Sequence, residues 1–122
     1  MPKRKLLIVE DEFLIAEDCA STAEKAGFEV AGPYLKLKDV PQDLAGISAA
    51  ILDLNVCGVL TYSLIDRLLE MNIPVTLYTG YSAHYSPEKY ANLSRVIKPK
   101  TSDDAIKAIV RQLEQQTSSL SP

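Results

Sequence analysis

The sequence predicts a single α/β domain built on a parallel five-stranded sheet, and three observations carry that prediction. Short runs rich in Leu, Ile and Val recur at fairly even spacing. The segments between them have helical periodicity, and a run such as "AAIL" is apolar at every position, as a strand buried on both faces requires. A length of 122 residues fits one domain with a core of its own.

The elements follow in chain order. "KLLIV" (5–9) is the first strand. Residues 12–26 form a helix that turns Ile15, Cys19, Ala23 and Ala26 inward and ends at Gly27. "FEVAG" (28–32) is the second strand. The helix expected over 35–45 is weaker, because Pro41 interrupts the pattern of Leu37, Val40 and Leu44. "AAILD" (49–53) is the third strand, followed by a helix over 61–71 with Leu64, Ile65, Leu68 and Leu69 on one face. "PVTLYT" (74–79) is the fourth strand, the short polar segment 84–92 an irregular helix, and "SRVIK" (94–98) the fifth strand. In the last helix Ile106, Ile109, Val110 and Leu113 make one stripe, Thr101 or Ser102 can cap it, and Asp103 and Asp104 suit its positive first turn. Each helix supplies the long crossover that parallel strands need. The domain is expected over 1–116, with a polar tail at 117–122; "QQTSSLSP" reads as a frayed end or the start of a linker.

Composition narrows the function. A formal charge of −3 with scattered Lys and Arg gives no basic stripe for nucleic acid. No apolar run reaches the roughly 18 residues of a membrane span, and "MPKRKLLIVEDE" is too short in its apolar part for a signal peptide, so a cytoplasmic protein is expected. Cys19 and Cys57 have neither disulfide-framework nor zinc-ligand spacing. His84, the single histidine, lies in a polar loop and reads as a surface residue. Tyr78, Tyr81, Tyr85 and Tyr90 cluster after the fourth strand, as half-buried packing or as a partner face.

In an open parallel sheet, functional groups collect beyond the carboxyl ends of the strands. Glu10, Asp11 and Glu12 follow the first strand, Asp53 the third, Thr79 and Gly80 the fourth, and Lys98 and Pro99 the fifth. Carboxylates gathered in one pocket repel unless a cation sits among them, and Mg²⁺ suits oxygen ligands. Lys98 and the Thr79 hydroxyl suit phosphoryl oxygens, which makes Asp53 a nucleophile able to accept a phosphoryl group.

These segments together resemble a receiver domain of the two-component response regulators, from about Lys5 to Gln115. "LLIVEDE" is similar to the family's first strand and acidic pair, "ILDLNVCG" to its phosphoacceptor segment, "LYTGY" to its hydroxyl position and "VIKP" to its lysine-proline. The resemblance implies the flavodoxin-like strand order 2-1-3-4-5. It implies that Asp53 accepts phosphate from a histidine kinase or histidine phosphotransfer protein. It also implies that Asp11, Asp53 and the Asn55 carbonyl bind Mg²⁺ with Glu10 helping through water, and that Thr79 and Lys98 contact the phosphoryl oxygens. A downstream protein partner follows, a homodimer is compatible with it, and enzymatic activity is limited to Mg²⁺-dependent self-phosphorylation and autodephosphorylation. Two departures stand out. "NVCGVLT" replaces the Met-Pro that commonly follows the phosphoacceptor, and Arg95 occupies the position of a switching Tyr or Phe. With "IPVTLYTGYS" they resemble a mostly single-domain alphaproteobacterial subgroup with a Pro-Phe-x-Phe-Ala-Thr-Gly-Tyr motif, although Phe and Ala are Val75 and Tyr78 here.

Other functions fit less well. A haloacid dehalogenase-type phosphatase needs a second Asp two residues after the nucleophile, where Asn55 cannot transfer the proton. A flavodoxin needs a hydroxyl- and Gly-rich phosphate loop where Glu10 to Glu12 stand. A pseudo-receiver interaction module is opposed by the complete acidic, hydroxyl and lysine set. The chain reads equally as a whole regulator or as the receiver part of a larger regulator or hybrid kinase.

Overall fold

The computed structural model describes residues 3–80, 87–90, 93–98 and 101–120, with side chains as far as Gln116. Five strands, β1 (Lys5–Val9), β2 (Glu29–Tyr34), β3 (Ala49–Leu52), β6 (Val75–Thr79) and β7 (Ser94–Ile97), pair in parallel in the order β2-β1-β3-β6-β7. A two-stranded hairpin, β4 (Asn55–Val56) and β5 (Val59–Leu60), stands outside the sheet. Leaving the hairpin aside, the order is 2-1-3-4-5, so the chain reverses direction across the sheet between β1 and β3.

The apolar runs are continuous because both faces of the sheet are covered. Leu6, Ile8, Ala49, Ile51, Tyr78 and Val96 pack on one face against α1 (Phe13–Lys25) and α3 (Ser102–Leu120). Leu7, Val9, Ala50, Leu52, Val75 and Leu77 pack on the other against α2 (Tyr62–Glu70). Alternation along each strand feeds the two cores in turn.

The helices show why their sequences stop where they do. Gly27 has φ +98, and Phe28 N–H returns to the Ala23 carbonyl at 3.0 Å, closing the end of α1. Ala16, Cys19, Ala20 and Ala23 are the buried residues of α1; Ala26, expected to face inward, is exposed because the helix ends at Lys25. Thr101 caps α3 as expected: its Oγ1 accepts Asp104 N–H at 3.3 Å while Asp104 Oδ2 accepts Thr101 N–H at 3.2 Å. This helix continues through Gln115 to Leu120, past the expected fraying point, and Gln116 Nε2 donates to the Asn72 carbonyl at 3.0 Å.

Two segments differ from expectation. Only a 3₁₀ turn, Leu37–Asp39, forms within 35–45. Val40 is extended ahead of Pro41, and Asp43 Oδ1 takes the Ala45 N–H at 2.9 Å in a turn of its own, so the helical pattern has no backbone to run on. Much of 84–92, with His84 and Tyr85, lies outside the described residues, as do Tyr81 and Pro99; Glu88–Tyr90 forms a 3₁₀ turn.

Candidate functional site

The strand ends expected to carry chemistry converge at the reversal between β1 and β3. Glu10 follows β1 and is 4% exposed; Asp53 follows β3 and is 7% exposed. Asp53 N–H donates to the Val9 carbonyl at 3.2 Å, so the β1–β3 pairing itself sets the two acids side by side. Glu10, Asp11 and Asp53 each offer one carboxylate oxygen within 4.8 Å of the others. Glu12 is exposed, and its N–H donates to Glu10 Oε2 at 3.1 Å.

Lys98 crosses to these acids from the far strand. Its N–H donates to the Thr79 carbonyl at 2.9 Å, extending the β6–β7 ladder by one residue. Its ammonium then lies 2.7 Å from Glu10 Oε1 and 2.9 Å from Asp53 Oδ2, with Glu12 Oε1 at 3.8 Å. Thr79 is fully buried and ends β6 beside Lys98. Four of the strand-end residues singled out from sequence, Glu10, Asp11, Asp53 and Lys98, therefore meet in one place.

The hairpin was not foreseen, and it reaches Asp11. Its two-residue loop, Cys57 and Gly58, has φ +53 and +81, the double positive pair of a tight hairpin turn. Cys57 can then aim its N–H at Asp11 Oδ2, 2.8 Å away, leaving the other carboxylate oxygen for a ligand. Asn55 Oδ1 accepts Gly58 N–H at 2.8 Å, so that side chain braces the turn. Thr61 N–H bonds the Leu54 carbonyl at 2.9 Å, which makes Asn55–Leu60 the non-bonded pair of the ladder. The Asn55 backbone groups are thus left on the hairpin's outer edge, where its N–H is 3.4 Å from Asp53 Oδ1.

Two contributors were missed. Thr61, fully buried, donates its hydroxyl to the Asp53 carbonyl at 2.8 Å and bolts the start of α2 to the Asp53 segment. The sequence marks it only as a residue that could begin a helix. Tyr78, seen from sequence as one of a tyrosine cluster, lies with its ring centroid 5.6 Å from Lys98 Nζ.

Charge is held here at a cost. Burial raises the Glu10 pKa, and the neighbouring Asp53 charge adds to it, so that the Lys98 contact does not bring it back down. Burial also opposes the charge on Lys98, but hydrogen bonds to Glu10 and Asp53 outweigh it and raise its pKa above the ordinary lysine value. Three hard oxygen donors on one short arc fit a divalent ion of the Mg²⁺ kind, which asks for one or two carboxylates and keeps several waters. The arrangement offers a carboxylate nucleophile, Asp53, between an acidic cradle and an ammonium.

No family model matches the sequence, and no curated protein resembles it significantly. Solved structures do resemble it. The response regulator DrrB from Thermotoga maritima, an OmpR/PhoB homologue, is 22% identical with a TM-score of 0.80; the match covers 94% of this chain and 54% of DrrB, so the chain spans about half of that protein. A receiver protein from Sinorhizobium medicae is 23% identical with a TM-score of 0.73, over 92% of this chain and 95% of its own. A CheY-like receiver domain protein from Methanospirillum hungatei is 18% identical with a TM-score of 0.73, over 97% of this chain and 99% of its own. The convergent strand ends therefore sit on the flavodoxin-like fold of the response regulator receiver domains.

Proposed function

We propose that the chain is a response regulator receiver that takes a phosphoryl group on Asp53 from a phosphohistidine of a histidine kinase or histidine phosphotransfer protein. The observation that carries this reading is the Lys98 ammonium, 2.9 Å from Asp53 and 2.7 Å from Glu10, beside a third carboxylate, Asp11. A carboxylate oxygen of Asp53 attacks phosphorus, the P–N bond to the donor breaks, and the donor imidazole leaves with that electron pair. Asp11, Asp53 and the Asn55 carbonyl would hold Mg²⁺, with Glu10 helping through water; such an ion would neutralise charge on the phosphoryl oxygens. Lys98 turns toward the same oxygens, and Thr79 donates its hydroxyl to them.

The reading places the chain in the cytoplasm, where such donors work; among the described residues no helix is long and apolar enough to cross a membrane. Chemistry beyond taking and losing the phosphoryl group is not part of it, and the signal passes to a downstream protein. The segment "NVCGVLT" in place of Met-Pro, Arg95 three residues before Lys98, and "IPVTLYTGYS" favour the alphaproteobacterial single-domain subgroup. The test is intact-mass measurement after incubation with Mg²⁺ and acetyl phosphate. The parent should gain one phosphoryl group, Asp53→Asn none, and Lys98→Ala should gain it about 10²-fold more slowly. Equal labelling of Asp53→Asn and parent would overturn the assignment.

A further inference from the structure

Tyr78 precedes Thr79 in β6 and faces the opposite side of the strand, in the core shared with α1 and α3. It is 6% exposed, hydrogen-bonded to the buried Ser102 at the start of α3, and part of the lining beneath Glu10 and Asp53 together with Ile15 and Cys19. Its ring centroid is 5.6 Å from the Lys98 ammonium. That ammonium has three N–H groups, and its close anionic partners are Glu10 and Asp53. Both carboxylates compete with an incoming anion for those N–H groups. A ring face does not, because it attracts a cation while carrying no net charge.

We infer that Tyr78 is a positioning residue for Lys98: its ring holds the ammonium at the mouth of the site while leaving the N–H groups to turn from Asp53 to the oxygens of a transferred group. Ser102 fixes the ring through the hydroxyl, so α3 is tied to the site through one aromatic side chain. The inference rests on the phosphoacceptor reading of Asp53 for its consequence in catalysis, while the hold on Lys98 is measurable without it.

The experiment compares the parent with Tyr78→Phe, Tyr78→Leu and a series carrying phenylalanine with increasing ring fluorination at position 78, which drains the ring face at nearly constant shape. Labelling rate with acetyl phosphate and Mg²⁺ affinity are measured separately. Tyr78→Phe should keep the rate within about twofold, and Tyr78→Leu should lower it about fivefold with Mg²⁺ affinity unchanged. The fluorinated series should decline in graded order, and Tyr78→Leu should have no effect in a Lys98→Ala background. A rate indifferent to fluorination, or the same loss with and without Lys98, overturns the inference. If the parent takes no phosphoryl group, the phosphoacceptor reading falls and Tyr78 is judged on the Lys98 ammonium resonance by ¹H–¹⁵N NMR. That resonance should be sharp in the parent and in Tyr78→Phe and lost in Tyr78→Leu; an unchanged resonance in Tyr78→Leu overturns the inference.

Discussion

Asp53 keeps its carboxylate buried because each group near it has a separate anchor. Thr61 holds its backbone, Lys98 its Oδ2, and the Val9 carbonyl its N–H. Thr61→Val removes the hydroxyl from a fully buried position and leaves the Asp53 carbonyl short of a donor, so denaturant unfolding should show a loss of about 1–2 kcal/mol. Asp11 separates metal binding from folding. Asp11→Asn keeps an acceptor for Cys57 N–H but loses the charge, so Mg²⁺ affinity should drop about tenfold or more by calorimetry while the metal-free melting temperature holds. The two thiols differ as well. Burial, with the charges of Glu10 and Asp18, pushes the Cys19 thiol up to about 12, whereas Cys57 is exposed. Titration with a disulfide reagent at pH 8 should consume one thiol quickly and the second only on unfolding.

At the scale of elements, an aromatic stack joins the Glu88–Tyr90 turn to α2. Tyr62, in the first turn of α2, stacks on Tyr90 with ring centroids 4.5 Å apart. Tyr90 donates its hydroxyl to Asp66 Oδ1 at 2.8 Å, and Lys89 Nζ lies 3.0 Å from the same oxygen. Arg95 Nη2 is 3.5 Å from the Tyr90 carbonyl, and burial lowers its pKa. The Glu88–Tyr90 turn is therefore clasped to the helix that Thr61 bolts to Asp53. Tyr90→Phe keeps the stack and loses the hydrogen bond. The Tyr90 and Lys89 contacts lower the Asp66 pKa below its ordinary 3.8, so their stabilisation is present above that value and is lost as pH falls through the lowered one. Melting curves should show Tyr90→Phe less stable than the parent at pH 7, with the gap closing in that acidic range.

The sheet strands, α1, α2 and α3 were legible because burial on a sheet or a helix face writes a period of two, a solid run, or 3.6 into the residues. The 35–45 segment has apolar residues at helical spacing, yet Pro41 and the Asp43 turn take its backbone elsewhere. The hairpin escaped notice because Val56, Val59 and Leu60 make too short a pattern to read, and the turn signal is a Cys-Gly pair in place of the usual Asn-Gly. Gly58→Ala places a side chain at φ +81, so it should weaken the hairpin by about 1 kcal/mol and loosen the Cys57–Asp11 contact, visible as faster amide exchange at Cys57. The acids and Lys98 could be read from strand ends alone. Thr61 and Tyr78 could not, since what matters is a contact with a residue remote in sequence.

For the whole molecule, a doubly covered parallel sheet spends its core on holding one edge still. Glu10, Asp11, Asp53, Thr79 and Lys98 leave four strand ends, the packed layers on both faces support them, and the reversal of strand order opens the gap in which Glu10, Asp11, Asp53 and Lys98 meet. We propose that this edge carries a phosphoryl group on Asp53. An aspartyl phosphate is an acyl phosphate, which borohydride reduces to homoserine, so the site of transfer can be read directly. After Mg²⁺ and acetyl phosphate, borohydride treatment and peptide mass spectrometry should place homoserine at position 53 in the parent and nowhere in Asp53→Asn. Homoserine at another aspartate, or its absence from position 53 under conditions that label the protein, would rule out Asp53 as the acceptor.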